Sequence, residues 1–219
     1  MARLYQLHPD NPQFRTIEQI CRELEAGAIM LYPTDTVYAI GCDINSKSAI
    51  QRVRRLKQLS NDKPLTFLCS SLSNIAQYAY VKDPVYRLMK RLIPGPFTFI
   101  LPATKLVPKL VLNPKRKTTG IRVPDHTLCQ TMLSTLDRPI ISTSARLAAE
   151  NHSAFMDDDG PSSTPELFDA FDGLVDIIVD IEQPPTLKTS TVIDLCQNSP
   201  EILRKGLGWE IMESIGLPQ

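Results

Sequence analysis

Three short apolar runs in this chain each meet a cluster of hydroxyls. Ala28 to Leu31 opens into Tyr32-Pro33-Thr34-Asp35-Thr36-Val37-Tyr38-Ala39-Ile40-Gly41-Cys42-Asp43. Ile140-Ile141 runs into Ser142-Thr143-Ser144, and Thr189-Ser190-Thr191 leads Val192-Ile193-Asp194. Runs this short are strands rather than helices. Strands whose ends carry Ser and Thr are suited to a small-molecule site, because ligands sit at the carboxyl ends of sheet strands. A set of tight turns with locally satisfied hydroxyls is the plainer alternative.

Between these runs lie segments of helical period. Thr16-Ile17-Glu18-Gln19 has the form of a capping box, with Ile17, Ile20, Cys21 and Leu24 on one face and Gly27 at the C′ position. Ser46 can cap a second helix with Ala49, Ile50, Val53 and Leu56 inward and Arg52, Arg54, Arg55 and Lys57 on or near its exposed sides. Helices are expected at Ser73–Ala79, from Asp83-Pro84, and at Thr127–Leu136; strands at Leu65–Cys69, Phe97–Leu101, Ile121–Pro124, within Leu174–Ile181, and from Ile202. Helices and strands alternate, which predicts a layered α/β sheet. Residues 150–165, acidic with Gly and Pro, read as a long surface loop.

The chain has 219 residues, enough for one domain with a real core. Its five cysteines lie singly at 21, 42, 69, 129 and 196, without the close spacing of a zinc or redox motif. Reduced thiols follow, and with no signal segment and no run of about 18 apolar residues the expectation is a soluble, cytoplasmic protein. The formal net charge is zero. The charge is unevenly spread: five basic residues and one acid from Arg52 to Lys63, six basic residues and no acid from Lys105 to Arg122, and ten acids without Lys or Arg from Glu150 to Glu182. Two basic stretches meeting in space would form a positive cleft. Hydroxyls and cations together suit an anion such as a nucleotide phosphate. Neither a P-loop nor a Rossmann fingerprint is present, and a Ser/His/Asp hydrolase would lack its histidine and nucleophile elbow.

In the order and spacing of residues 33–43, 94–101, 117–125, 140–144 and 189–194 and the turn at Arg204, the chain resembles the YrdC-type threonylcarbamoyl-AMP synthase superfamily, and within it the YciO-like branch. The resemblance covers residues 14–206, leaving 1–13 and 207–219 as terminal extensions. It implies a single α/β (α+β) domain: a twisted open mixed sheet flanked by helices, of the YrdC/RibB-like kind, with a wide positive cavity. The family's synthases join L-threonine, bicarbonate and ATP with Mg²⁺ and release pyrophosphate; the product supplies the threonylcarbamoyl group of t6A in tRNA. By position, the resemblance puts Thr34, Thr36 and Tyr38 on the amino-acid side. It puts Lys57, Thr119, Arg122, Ser142, Ser144, Ser190 and Arg204 near the nucleotide, with Lys57 and Ser144 in catalytic positions. Family members are also linked to double-stranded RNA.

The chain departs from the pattern at three places: Leu59 stands for an Arg, Leu68 for a His and Arg146 for an Asn. Leu cannot replace an Arg fork on phosphate. The expectation is therefore a nucleotide-binding cleft that takes ATP and L-threonine with weak or altered synthase activity; the alternative is an RNA-binding protein without it. A metabolic enzyme like dihydroxybutanone-phosphate synthase would need acidic metal ligands. If positions 59 and 146 face one cleft, Arg146 restores from one wall the cation lost from the other.

Overall fold

The structure, a computed structural model, describes residues 1–60, 63–146, 163–184, 188–197 and 199–214. Its centre is one ten-stranded mixed sheet. In chain order the strands are β1 (Arg3–Gln6), β2 (Met30–Tyr32), β3 (Ala39–Asp43), β4 (Thr66–Leu68), β5 (Phe97–Pro102), β6 (Thr118–Arg122), β7 (Ile140–Ser144), β8 (Ile177–Asp180), β9 (Thr191–Asp194) and β10 (Glu201–Arg204). Across the sheet they stand in the order β1-β8-β2-β3-β7-β4-β6-β5-β9-β10. The helices are α1 (Phe14–Glu25), α2 (Lys47–Leu56), α3 (Leu72–Tyr78), α4 (Asp83–Leu92), α5 (Thr127–Leu136), α6 (Thr164–Phe171) and α7 (Trp209–Ser214).

Side-chain parity decides what each face of the sheet carries. One row across the middle reads Cys42, Ile141, Phe67, Ile121, Phe99, Ile193. Every member is buried and apolar, and the row packs under Ile50 and Val53 of α2, Ile75 of α3, Met89 of α4 and Phe171 of α6. The adjacent row, one residue out of phase, lies on the opposite face: Met30, Gly41, Ser142, Thr66, Gly120, Ile100, Asp194. Helices α1 and α5 cover the β8-β2-β3 side of that face and the ends of β7 and β4 beside it, over Met30, Tyr32, Ala39, Val179, Ile140 and Leu68. Beyond Gly41 the row turns small and polar and opens to solvent. The fold thus has one fully covered face and one half-covered face, and the uncovered half is where small and hydroxyl residues occur in the sequence.

Local signals set several boundaries. Gly27 has φ +97°, and the amides of Gly27 and Ala28 reach the carbonyls of Leu24 and Glu23, a Schellman end to α1. Helix α1 starts at Phe14, two residues before the expected capping box, on Gln13 with no side-chain cap. The buried apolar stripe Ile17, Ile20, Cys21, Leu24 holds the helix without it. Ser46 caps α2 as expected. The stretch after Tyr32 does more than turn: it returns as β3, antiparallel to β2. Residues 3–6 add an edge strand parallel to β8, and Met212 of α7 is fully buried, so both terminal segments join the same sheet and core. Residues 150–162 of the expected acidic loop lie outside the described residues; Ser163 caps α6, so residues 164 and 165 are helical.

Candidate functional site

The open half-face holds a cavity of about 210 Å³, smaller than a typical ligand pocket. Its floor is β4, β6 and β7. Thr66 stands against Gly120 on one side and Ser142 on the other. A Cβ at Gly120 would come within 2.8 Å of Thr66 Oγ1, so the glycine keeps the floor open. Thr34, Thr36, Val37, Ala39, Leu68, Thr98, Ile100, Ser144, Ser190, Arg122 and Arg204 complete the principal walls. Two guanidiniums and many hydroxyls line the cavity, and among the described residues no carboxylate does.

Arg122, the last residue of β6, is the fixed centre. Its Nη1 donates to Thr36 Oγ1 at 2.7 Å, its Nε to the Gly95 carbonyl at 3.3 Å, and its Nη2 pairs with Asp35 Oδ1 at 2.6 Å. The Asp125 amide holds the other carboxylate oxygen at 3.0 Å. The two-threonine turn is self-bonded: Thr34 Oγ1 donates to the Val37 carbonyl at 2.7 Å and lies 3.1 Å from Thr36 Oγ1. Opposite, Arg204 donates from Nε and Nη2 to the Ser190 carbonyl and from Nη2 to Ser190 Oγ at 3.1 Å, while Ser190 Oγ lies 2.8 Å from Thr98 Oγ1. Burial, then the nearby guanidiniums of Arg146 and Arg122, lower the Arg204 pKa.

Ser142 has a buried supporter. Tyr32, wholly inside the α1/α5 core, donates its hydroxyl to Ser142 Oγ at 2.9 Å. A Cβ at Gly41 would lie 2.7 Å from Tyr32 Cε1, so glycine is required for the ring to reach that serine. Burial raises the phenol pKa, keeping Tyr32 a neutral donor. The Tyr at 32 and Gly at 41 stood in plain view, but only the strand pairing reveals that they act on one serine.

The anticipated residues divide. Thr34, Thr36, Arg122, Ser142, Ser144, Ser190 and Arg204 converge on the cavity. Thr119 is out of phase with Arg122; it lies against Leu101 on the covered face, with its Oγ1 buried and unpartnered among the described residues. Tyr38 is a core residue, edge-on to Phe168 at 5.9 Å. Lys57 is the C-cap of α2, and its amine donates to the Ser144 carbonyl at 2.9 Å and to the Arg146 carbonyl. Burial, with Arg146 adding to it, lowers its pKa to about 8. The amine thus braces the end of β7 from behind.

The two basic stretches do touch, yet three of their arginines are committed elsewhere. Arg54, expected on an exposed side, is buried and donates to the carbonyls of Lys63, Leu110 and Ser60. Arg52 forks onto Asp176 at 2.8 and 2.9 Å, and Arg116 pairs with Asp194 at 2.5 Å. The site spreads over the face of the sheet and takes Leu68, Arg122, Ser144 and Arg204 from the carboxyl ends of four strands that, in a mixed sheet, do not share one edge.

Comparison with known proteins fits this geometry. The family model for Sua5, YciO and YrdC proteins, described as telomere recombination, matches residues 22–206. The chain belongs to the Sua5/YciO/YrdC family. YciO of Escherichia coli K12 is 39% identical over 95% of this chain and 97% of its own. The E. coli YciO crystal structure superposes with a TM-score of 0.85 at 38% identity, over 95% of this chain and 97% of that one. The human threonylcarbamoyl-AMP synthase is 34% identical over 79% of this chain and 60% of its own. The Pyrococcus abyssi Sua5 structure complexed with L-threonine gives a TM-score of 0.84 at 26% identity, over 99% of this chain and 62% of that one.

Within this family fold the three departures fall in different places. Leu68 lines the cavity. Leu59 packs against the covered-face core and borders a separate surface hollow with Arg54 and Leu110. Positions 59 and 146 therefore do not face one another across the cavity. No helix among the described residues is long and apolar enough to cross a membrane.

Proposed function

We propose that the open half-face binds ATP and L-threonine and that the chain is a weak or altered threonylcarbamoyl-AMP synthase of the t6A pathway. The observation that carries this reading is Arg122: a guanidinium held by Thr36, Asp35 and Gly95 at the base of a hydroxyl-lined cavity with no carboxylate among its described lining residues. Such a site favours anionic groups, and a fixed fork favours planar ones such as carboxylate or phosphate. The cavity takes an amino acid or a phosphate group, with the rest of a nucleotide in the open part of the face. Thr34 and Thr36 would serve the amino acid; Arg122, Ser142, Ser144, Ser190 and Arg204 would serve the nucleotide. Mg²⁺ would enter on the phosphate oxygens of ATP, since the lining supplies hydroxyls and no acidic ligand set. It would neutralise charge as pyrophosphate leaves.

Weak or altered chemistry follows from what the lining omits. Leu68 puts an alkyl group in the wall, and the Lys57 amine is committed to two backbone carbonyls. One missing donor aimed at a transition state costs on the order of 10²–10³ in rate.

The test is pyrophosphate release from Mg²⁺-ATP with bicarbonate, with and without L-threonine, beside Ser142→Ala and Lys57→Ala. Release that requires threonine and falls in Ser142→Ala supports the reading; release indifferent to threonine overturns the synthase part. An RNA-binding alternative would rest on the exposed Lys105, Lys109, Lys115 and Lys117. Binding through those lysines would collapse steeply with salt, whereas threonine binding would not.

A further inference from the structure

We propose that Thr66 and Ile100 are the residues that select the substrate amino acid, reading its β-carbon for one hydroxyl and one methyl group. This rests on the amino-acid reading above and goes one step further, from the class of ligand to the side chain it must carry.

The argument begins with the row across the open half-face. Thr66 of β4 and Ile100 of β5 stand on either side of Gly120 of β6. Strands lie about 4.8 Å apart, so side chains separated by a whole strand do not ordinarily meet. Gly120 removes the side chain between them, and both lean into its place. The position that a Cβ on Gly120 would take is 2.8 Å from Thr66 Oγ1 and 3.4 Å from Ile100 Cδ1. The cavity floor therefore presents a hydroxyl and a methyl side by side over one glycine. Both residues line the cavity and are only half-buried, although their strands lie inside the sheet.

The hydroxyl is available to a ligand. Thr34, Thr36 and Ser142 engage theirs with the Val37 carbonyl, Arg122 and Tyr32, and Thr98 and Ser190 engage each other. Among the described residues Thr66 Oγ1 has no hydrogen-bond partner. A ligand that covers this hydroxyl without pairing it bears the cost of its desolvation. Ile100 Cδ1, beside it, penalises a polar group and favours carbon. A β-carbon with its hydroxyl toward Thr66 and its methyl toward Ile100 satisfies both. Serine leaves the place of the methyl empty, valine leaves the Thr66 hydroxyl unpaired, and L-allo-threonine sets each group against the wrong neighbour. Arg122 follows Gly120 by two positions on the same face, roughly 7 Å along the strand, so the head of the amino acid falls toward Thr34 and Thr36.

The experiment is calorimetric titration of L-threonine, L-serine, L-valine and L-allo-threonine, with and without Mg²⁺-ATP, into the full chain and into Thr66→Val, Thr66→Ser and Ile100→Val, with the Tm of each free protein. Thr66→Val keeps the shape and removes the hydroxyl, so L-threonine should bind about tenfold more weakly while L-valine holds or gains. Thr66→Ser keeps the hydroxyl and should keep the preference for threonine over valine. Ile100→Val deletes only Cδ1 and should cut the preference for threonine over serine about fourfold. A parent chain without a preference for threonine would overturn the inference while leaving amino-acid binding intact. So would ratios between the amino acids that stay unchanged in Thr66→Val and Ile100→Val, including a uniform loss beside a lowered Tm, since both residues would then only support the fold. If the parent chain binds none of the four in either condition, the amino-acid reading itself falls, and this inference with it.

Discussion

Replacing Arg122 with Met should destabilise the protein far more than loss of an ordinary surface ion pair. The side chains of Arg122 and Asp35 are only 7% and 11% exposed, so the pair belongs to the buried class. Met fills much of the volume, but it leaves Thr36 Oγ1 without its guanidinium donor, the Gly95 carbonyl with only the Phe97 amide, and Asp35 with a single amide partner. Breaking a buried pair from one side costs about 3–5 kcal/mol, because an uncompensated charge remains. For a chain of 219 residues that corresponds to a fall in Tm of roughly 6–20 °C. Urea unfolding monitored by circular dichroism measures it, with an unchanged slope required for the comparison. The decisive partner is Asp35→Asn in the same background. Removing the orphan charge should return part of the loss, so the two substitutions should be non-additive by about 1–3 kcal/mol. A cost under about 1 kcal/mol for Arg122→Met, or strict additivity, would mean the pair behaves like a solvated one and the rigid-fork argument fails.

Gly41→Ala should cost about 1–3 kcal/mol, since its methyl would meet Tyr32 Cε1 at 2.7 Å and the Ile141 carbonyl at 3.0 Å; thermal melts would show it. Tyr32→Phe removes only the hydroxyl on Ser142 and should destabilise by about 1 kcal/mol in urea titrations, while raising the KM for ATP or threonine if Ser142 binds substrate. Gln58→Gly should stabilise by about 0.5–1 kcal/mol in the same titrations, because Gln58 has φ +48° at the position after the α2 C-cap. Lys57 gives a pH signature. Its folded pKa of about 8 lies below the ordinary lysine value of 10.5, so between those values the unfolded chain holds more protons and stability rises with pH. Lys57→Met should lose that rise when unfolding curves at about pH 7 and about pH 10 are compared.

The elements were readable where period and punctuation agreed. Helix α5 at Thr127–Leu136 and strand β7 at Ile140–Ser144 match their expected limits. The expected twisted mixed sheet flanked by helices is the observed architecture, because alternation of strand and helix leaves few other ways to bury both kinds of apolar face. Segments with weak local signals were missed. β1 is held by its pairing with β8 rather than by its own apolar pattern, and β3, all five of whose residues are buried, lies in the hydroxyl stretch for which the sequence predicts no strand of its own. For the site, strand parity was the signal left unused. Counting in twos from Arg122 puts Gly120 and Thr118 on its face and Thr119 on the other, before any coordinates are consulted. Register cannot be counted that way. That Gly41, Ser142, Thr66 and Gly120 share a row depends on four strands from distant parts of the chain.

Basic composition proved a poor guide to where positive charge is usable. The stretch from Arg52 to Lys63 contributes no side chain to the cavity lining among the described residues, and the stretch from Lys105 to Arg122 contributes only its last residue. Arg52, Arg54 and Arg116 hold the scaffold together through Asp176, backbone carbonyls and Asp194. Among the described residues the cations that line the cleft come one each from separate segments: Arg122 at the end of β6 and Arg204 at the end of β10. Dispersal has a physical reason. Guanidiniums adjacent in sequence on a strand point to opposite faces, so a sheet can concentrate charge on one face only by drawing single residues from different strand ends. Each then needs its own anchor, and the anchors differ: a buried carboxylate for Arg122 and a serine carbonyl for Arg204.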